Sequence, residues 1–250
     1  MKKVGLQLYS VRDAMDKDVA GTLKTISEDG YQGVQLAGTY DKDANQWKSM
    51  LDEYGLEACG MHVGLEMLSD DAVLDEWIEF SKIVGNKKLI VPYVDEQWRS
   101  KEKYEELAGL LNQASEKVQA AGLALGYHHH DFEFAQLENG ETGWGILERL
   151  TSSYPVYFEI DVYWTEFSGV DTIALFDRLK DRVFSVHIKD MISEDGERKS
   201  GPVGSGTLNL QAMIEQVSTD WLVVEQEHFD EAPLKEVGPS AAIVKKWTGA

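Results

Sequence analysis

The chain has 250 residues, with 24 Lys and Arg against 44 Asp and Glu, for a formal charge of −20 at pH 7. That length suits one large buried core and matches a (β/α)8 barrel, which typically takes about 250 residues as a single domain. The charge excludes ordinary nucleic-acid binding, which needs a basic face; the densest basic stretches are the pairs Lys2-Lys3, Lys87-Lys88 and Lys245-Lys246.

Strand-like and helix-like patterns alternate from the first residues. The opening Met1-Lys2-Lys3-Val4-Gly5-Leu6 is too short in apolar residues for a signal peptide and leads into a strand over Val4–Leu8. Asp18 caps a helical pattern through Val19, Leu23 and Ile26. Strands follow at Gly33–Leu36 and Glu57–Met61, the latter holding the single cysteine, Cys59. One cysteine rules out an intramolecular disulfide and a cysteine-based zinc cluster, and its apolar neighbours mark it as core packing. Leu74, Trp77, Ile78, Phe80 and Ile83 repeat about every 3.6 residues, as a helix with one apolar face does. Next come a strand at Lys88–Pro92, a helix over Tyr104–Ala121, a strand at Leu123–Tyr127 and a helix over Thr142–Thr151. Strands at Tyr157–Ile160, Val183–Ile188 and Trp221–Val224 alternate with helical patterns over Asp171–Leu179, Asn209–Val217 and Leu234–Trp247. Gly30, Gly55, Gly85 and Gly122 sit where helices stop, the place for a left-handed residue.

Eight such units without a Pro- or Ser-rich linker predict one closed parallel barrel spanning residues 1–250. A doubly wound open sheet is the alternative, but the glycine-rich phosphate turn expected after its first strand is replaced by Gln7-Leu8-Tyr9-Ser10-Val11-Arg12. No run approaches the roughly 18 apolar residues of a membrane span, so a cytoplasmic protein without membrane contact is expected.

The strand ends carry the functional signal. Four apolar runs end on ionisable residues: one before His128, His130 and Glu133, and the others before Asp161, His187 and Glu225. Strands normally give way to Gly, Asn or Pro turns. In a barrel the carboxyl ends of the strands share one face, where the chemistry sits, and carboxylates with imidazoles suit a divalent cation. Alternation places His128 and His130 on one side of their strand and Tyr127 and His129 on the other. His129 and His228 read as locally bonded or solvated groups. Lys189 shares a face with His187; it either reaches a substrate oxygen or pairs with Asp190 or Asp161. Gly204-Ser205-Gly206 lies after the seventh strand, where barrels often bind phosphate, and reads equally as a mobile loop.

Four motifs in register carry a resemblance. Tyr127-His128-His129-His130-Asp131-Phe132-Glu133-Phe134, then Glu159-Ile160-Asp161-Val162-Tyr163-Trp164 with Gly169-Val170-Asp171, then His187-Ile188-Lys189-Asp190, then Val224-Glu225-Gln226 are similar to the sugar phosphate isomerase/epimerase group. That group belongs to the xylose-isomerase-like TIM-barrel superfamily, which also includes inosose dehydratase and endonuclease IV. The likeness spans the chain and includes Leu6-Gln7-Leu8-Tyr9-Ser10-Val11-Arg12.

The resemblance implies a divalent metal (Mn, Co, Mg or Zn) held by Glu, Asp, His and Glu. By position these are Asp161, His187 and Glu225, with Glu133 as the fourth ligand and His128 as its rival, because Gly126-Tyr127-His128 stands where many members have a Glu. His129 replaces a common Asn, and Gln35 stands where a Glu is common, removing one acid/base group. The implied reaction is isomerisation or epimerisation of a sugar or sugar derivative through an enediolate. Glu133 and Glu225 would act as bases, His128 and His130 as acid/base or hydroxyl-orienting groups, and Lys189 as the oxyanion partner. Tyr9, His62, Tyr93 and Trp164 would line the sugar pocket. The same intermediate can expel a β-hydroxyl, so a sugar or inosose dehydratase is the alternative; a non-catalytic sugar-binding barrel ranks third. An endonuclease would need more His and a basic DNA face. The expected partners are a small sugar and, for assembly, further copies of the chain.

Overall fold

The structure, a computed structural model, describes residues 2–248; positions 1, 249 and 250 of the expected single domain lie outside the described residues. The barrel strands are β1 (Lys3–Gln7), β2 (Gly33–Ala37), β3 (Glu57–His62), β4 (Lys88–Val91), β5 (Ala124–His128), β6 (Val156–Asp161), β7 (Val183–Ile188) and β10 (Trp221–Val224). They close in the order β1-β10-β7-β6-β5-β4-β3-β2, every neighbour parallel. This is the closed (β/α)8 barrel, and closure excludes the open doubly wound sheet.

The outer layer consists of α2 (Val19–Glu28), α3 (Ala44–Tyr54), α4 (Asp71–Val84), α5 (Lys101–Ala120), α6 (Gly143–Leu150), α8 (Thr172–Leu179), α9 (Leu210–Gln216) and α10 (Pro233–Thr248). Two short helices, α1 (Arg12–Met15) and α7 (Val162–Phe167), follow β1 and β6 directly. Caps fix where the chain turns from strand to helix: Asp18 accepts from the Gly21 N–H at 3.0 Å, and Asp43 and Gln46 form a reciprocal capping box. Gly30, Gly55, Gly85 and Gly122 all have positive φ, which stops α2, α3, α4 and α5 without steric cost.

One element outside the barrel was not expected. After β7, the strands β8 (Asp190–Glu194) and β9 (Glu197–Gly201) pair as an antiparallel hairpin. Asp195 and Gly196 make its turn with φ of 52° and 83°, the two-residue geometry that suits the twist of paired strands.

The barrel interior is packed solid. Cys59 is buried against Trp221 and Val223, and a Cβ on Gly5 would lie 2.7 Å from its sulfur. Burial pushes the Cys59 thiol pKa up, so it is a packing group. No helix among the described residues is long and apolar enough to cross a membrane.

Candidate metal centre

Strands β5, β6, β7 and β10 are consecutive in the ring, so their carboxyl ends meet. Alternation turns His128 on β5, Glu159 and Asp161 on β6 and His187 on β7 toward the axis. Lys189 and Glu225 continue the same faces one residue past β7 and β10, and Glu227 follows two residues further on.

Glu159 lies one alternation below Asp161 and is fully buried. Its Oε1 is 2.7 Å from His62 Nε2, 2.9 Å from His187 Nε2 and 3.2 Å from His128 Nδ1. Its Oε2 accepts from Gln35 Nε2 at 2.5 Å, and Gln35 Oε1 accepts from Gln7 Nε2 at 2.6 Å. Burial alone would raise the Glu159 pKa, but the imidazoles around it win and hold it well below the usual carboxylate range. His187 shows the converse. Burial lowers it, and Glu159 together with Glu225, 3.0 Å from Nδ1, raises it well above normal.

Asp161 divides its two oxygens between structure and site. Oδ1 caps α7, accepting from the Tyr163 and Trp164 N–H groups at 2.8 and 3.3 Å. Oδ2 is buried without a hydrogen-bond partner, with Lys189 Nζ 3.6 Å away. The Asp161 backbone N–H donates to His129 Nε2 at 3.2 Å, so His129 is a buried, locally bonded group that pins the end of β6. Burial lowers the His129 pKa to about 3 and keeps the ring neutral.

Ligand atoms of His128, Asp161, His187 and Glu225 all lie within 4.8 Å of one another. Donors on opposite sides of a first-row divalent ion stand roughly 4 Å apart, so the set fits a cation after small side-chain movements. Asp161 Oδ2, which accepts no hydrogen bond, supports that fit, because a buried polar atom left unbonded is costly. His62, His128, Glu159 and His187 form a second group of the same compactness, but both oxygens of Glu159 already have protein partners. Carboxylates also outnumber cations here: Glu159, Asp161, Glu225 and Glu227 face Lys189 and His187.

Lys189 is fully buried, with Nζ 2.9 Å from Glu227, 3.3 Å from Glu225 and 3.6 Å from Asp161. Burial works against its charge, but the three carboxylates raise its pKa, so it stays an ammonium. Asp190, the other partner considered for Lys189, turns away.

Glu133 is not brought to this cluster. Its Oε1 accepts from the Tyr127 hydroxyl at 2.6 Å and its Oε2 from the His130 N–H at 2.7 Å, on the outward side of β5. Burial raises its carboxyl pKa to about 7, tempered by those two hydrogen bonds. Glu133, expected as metal ligand and base, does not reach the cluster: the loop folds back onto Tyr127, and His128 is the β5 residue that lies with Asp161, His187 and Glu225.

Above the cluster opens a cavity of about 420 Å³ whose walls include Tyr9, His62, Tyr93, His128, His130, Glu225 and Glu227. Trp164 stands behind this wall, 5.0 Å from Lys189 Nζ and tilted against His130 at 5.5 Å. Burial lowers the His130 pKa to about 2, so its ring is neutral, and its Nδ1 lacks a partner. Sequence reasoning passed over Glu159 and Glu227, though each sits two residues from a chosen carboxylate and so shares its face.

Comparison with known proteins agrees with this architecture. An inosose dehydratase of Geobacillus kaustophilus (strain HTA426) is 26% identical over 191 residues, covering 68% of this chain and 61% of that protein. An inosose dehydratase of Lacticaseibacillus casei is 21% identical over 239 residues, covering 79% of this chain and 78% of that one. The solved structure of a sugar phosphate isomerase/epimerase from Parabacteroides distasonis superposes with a TM-score of 0.84 at 22% identity, covering 98% of this chain and 94% of that chain. The family model described as xylose isomerase-like TIM barrel matches residues 23–247. With that match across nearly its whole length and a closed eight-stranded parallel barrel, the chain belongs to the xylose isomerase-like TIM barrel family.

Proposed function

We propose that the chain is a metal-dependent isomerase or epimerase that removes and returns a proton beside the carbonyl of a sugar or sugar derivative. The observation that carries this reading is a cluster of two imidazoles and two carboxylates beneath a cavity with the exposed Tyr9 and Tyr93 among its walls. A divalent cation on His128, Asp161, His187 and Glu225 would supply Lewis acidity, polarising a carbonyl and acidifying the adjacent C–H.

The protein groups have distinct tasks. Glu225 is ionised and lines the cavity; Glu227 lines it too and keeps 26% of its side chain exposed, the most open carboxylate at the site. These two are the proton acceptors in this reading, replacing Glu133. His130, neutral and facing the cavity, orients a substrate hydroxyl. Lys189 stays charged and offsets negative charge on substrate oxygen. Tyr9 and Tyr93, with 47% and 45% of their surface exposed, offer faces to the C–H side of a sugar.

The second reading is a dehydratase, in which the same carbanionic intermediate loses a β-hydroxyl. It is favoured by the names of the two relatives above, both inosose dehydratases. Incubating the metal-loaded protein with keto-sugars and inosose in D2O separates the outcomes. Deuterium incorporation with an altered sugar supports isomerase or epimerase chemistry; an unsaturated or deoxygenated product supports elimination; neither, across the panel, overturns the enzyme reading.

A further inference from the structure

A chain of buried amides runs from the end of β1 to the metal cluster, and one fixed donor sets its sense. The Tyr9 backbone N–H, which can only donate, meets Gln7 Oε1 at 3.1 Å. That contact turns Gln7 Nε2 toward Gln35 Oε1 at 2.6 Å and His62 Nδ1 at 3.2 Å. Gln35 then presents Nε2 to Glu159 Oε2 at 2.5 Å, and its Oε1 lies 2.7 Å from His187 Nε2. Glu159 Oε1 stands 2.9 Å from the same ring nitrogen. Gln7, Gln35, Glu159 and His187 are all fully buried, so a reversed amide would set donor against donor away from solvent.

Two ring orientations follow. His62 Nδ1 accepts from Gln7, so its proton is on Nε2, which donates to Glu159 Oε1 at 2.7 Å. His62 lines the cavity yet offers it no free nitrogen. His187 Nε2 faces only acceptors and therefore carries a proton. The lone pair available to a cation is on Nδ1, the nitrogen 3.0 Å from Glu225 Oε2.

We propose that Gln7, Gln35 and Glu159 are positioning residues that keep His187 protonated at Nε2 and so present Nδ1 to a divalent cation beside Glu225. This role rests on the metal site of the proposed function. An imidazole whose second nitrogen donates to a carboxylate is a fixed and more basic ligand. Gln35 and Glu159 act as a matched pair, one an amide and one a carboxylate, and no covalent step is involved.

The test exchanges that pair in the full chain. Glu159→Gln alone places an NH2 group either against Gln35 Nε2 or against the two imidazole N–H groups, so one donor faces another. With Gln35→Glu added, the new amide donates to position 35 and its carbonyl accepts from both imidazoles. The new carboxylate accepts from Gln7 and His187, and the net charge is that of the wild type. Calorimetric titration of chelator-treated protein with Mn²⁺ should show at least about tenfold weaker binding for Glu159→Gln, and recovery to within about threefold of the wild type in Gln35→Glu/Glu159→Gln. Long-range proton–nitrogen NMR spectra of the proteins loaded with diamagnetic Zn²⁺ read the tautomer itself. They should place the His187 proton on Nε2 in the wild type and in the double variant. If Glu159→Gln alone does not fold, the double variant still decides, because it should fold, bind and keep that proton. Glu159→Gln binding as tightly as the wild type, a double variant no better than Glu159→Gln, or a His187 proton on Nδ1 overturns the positioning role and leaves the metal site standing. A wild type that binds no cation removes the metal site and this role with it, which distinguishes the two failures.

Discussion

Glu133→Gln separates a buried structural carboxyl from a metal ligand or base. The Glu133 carboxyl is pushed from 4.5 to about 7 by burial, so the folded state holds its proton more tightly than the unfolded chain does. The sign follows from linkage. The favourable contribution is complete below the unfolded pKa and is lost as pH rises through the folded one. At ~1.4 kcal/mol per unit, the loss across that window is about 3 kcal/mol. Gln has no proton to lose, and its amide keeps both contacts, accepting from the His130 N–H and donating to the Tyr127 hydroxyl. Urea unfolding of the metal-free proteins from pH 5 to pH 8 should therefore show similar stabilities at the acid end. At the alkaline end the variant should be ahead by up to about 3 kcal/mol. A difference that stays constant with pH, or a wild type that gains on the variant as pH rises, would refute the assignment. The second result in particular would mean an ionised, well-paired carboxylate.

The remaining predictions concern the rim and the barrel wall. Lys189→Met leaves Asp161, Glu225 and Glu227 facing one another without their cation, and should destabilise the metal-free protein by roughly 3–5 kcal/mol in urea; an unchanged midpoint would show that Lys189 does not pair them. Gly126→Ala places a Cβ 2.2 Å from Phe184 Cζ, and that ring is stacked 5.4 Å from Tyr157 and has little room to swing. A loss of about 1–3 kcal/mol is expected, recovered in part by Phe184→Leu, with thermal unfolding as the check.

Much of the barrel was legible in the residues. The eight strand positions follow from apolar runs bounded by turn residues, and their limits shift by at most a residue or two in the structure. Less was legible where local signals are short. Val162–Phe167 escaped because a two-turn helix has no developed periodicity. The β8–β9 hairpin escaped even though Asp195-Gly196 is a strong turn signal, since its strands are polar and exposed at the tip. At the site, alternation fixes the direction of residues on a strand or directly after it, and Asp161, His187 and Glu225 lie together. Glu133 was misplaced because a loop residue's direction depends on tertiary contacts, here the Tyr127 hydroxyl and the His130 N–H. The Asp190 carboxylate, which accepts from the Met191, Gly204, Gly206 and Leu208 N–H groups, gave no local sign of that clasp, since these partners come from 1 to 18 residues away.

His128, Asp161, His187 and Glu225 are proposed together to hold one divalent cation. Calorimetric titration of chelator-treated protein with Mn²⁺ tests it most directly, with His128→Ala, Asp161→Asn, His187→Ala, Glu225→Ala and Glu133→Gln run alongside. A single equivalent should bind to the wild type and to Glu133→Gln, with affinity at least about tenfold weaker in each of the other four. Wild-type protein that takes up no cation, or ligand variants that bind as tightly as the wild type, would contradict it.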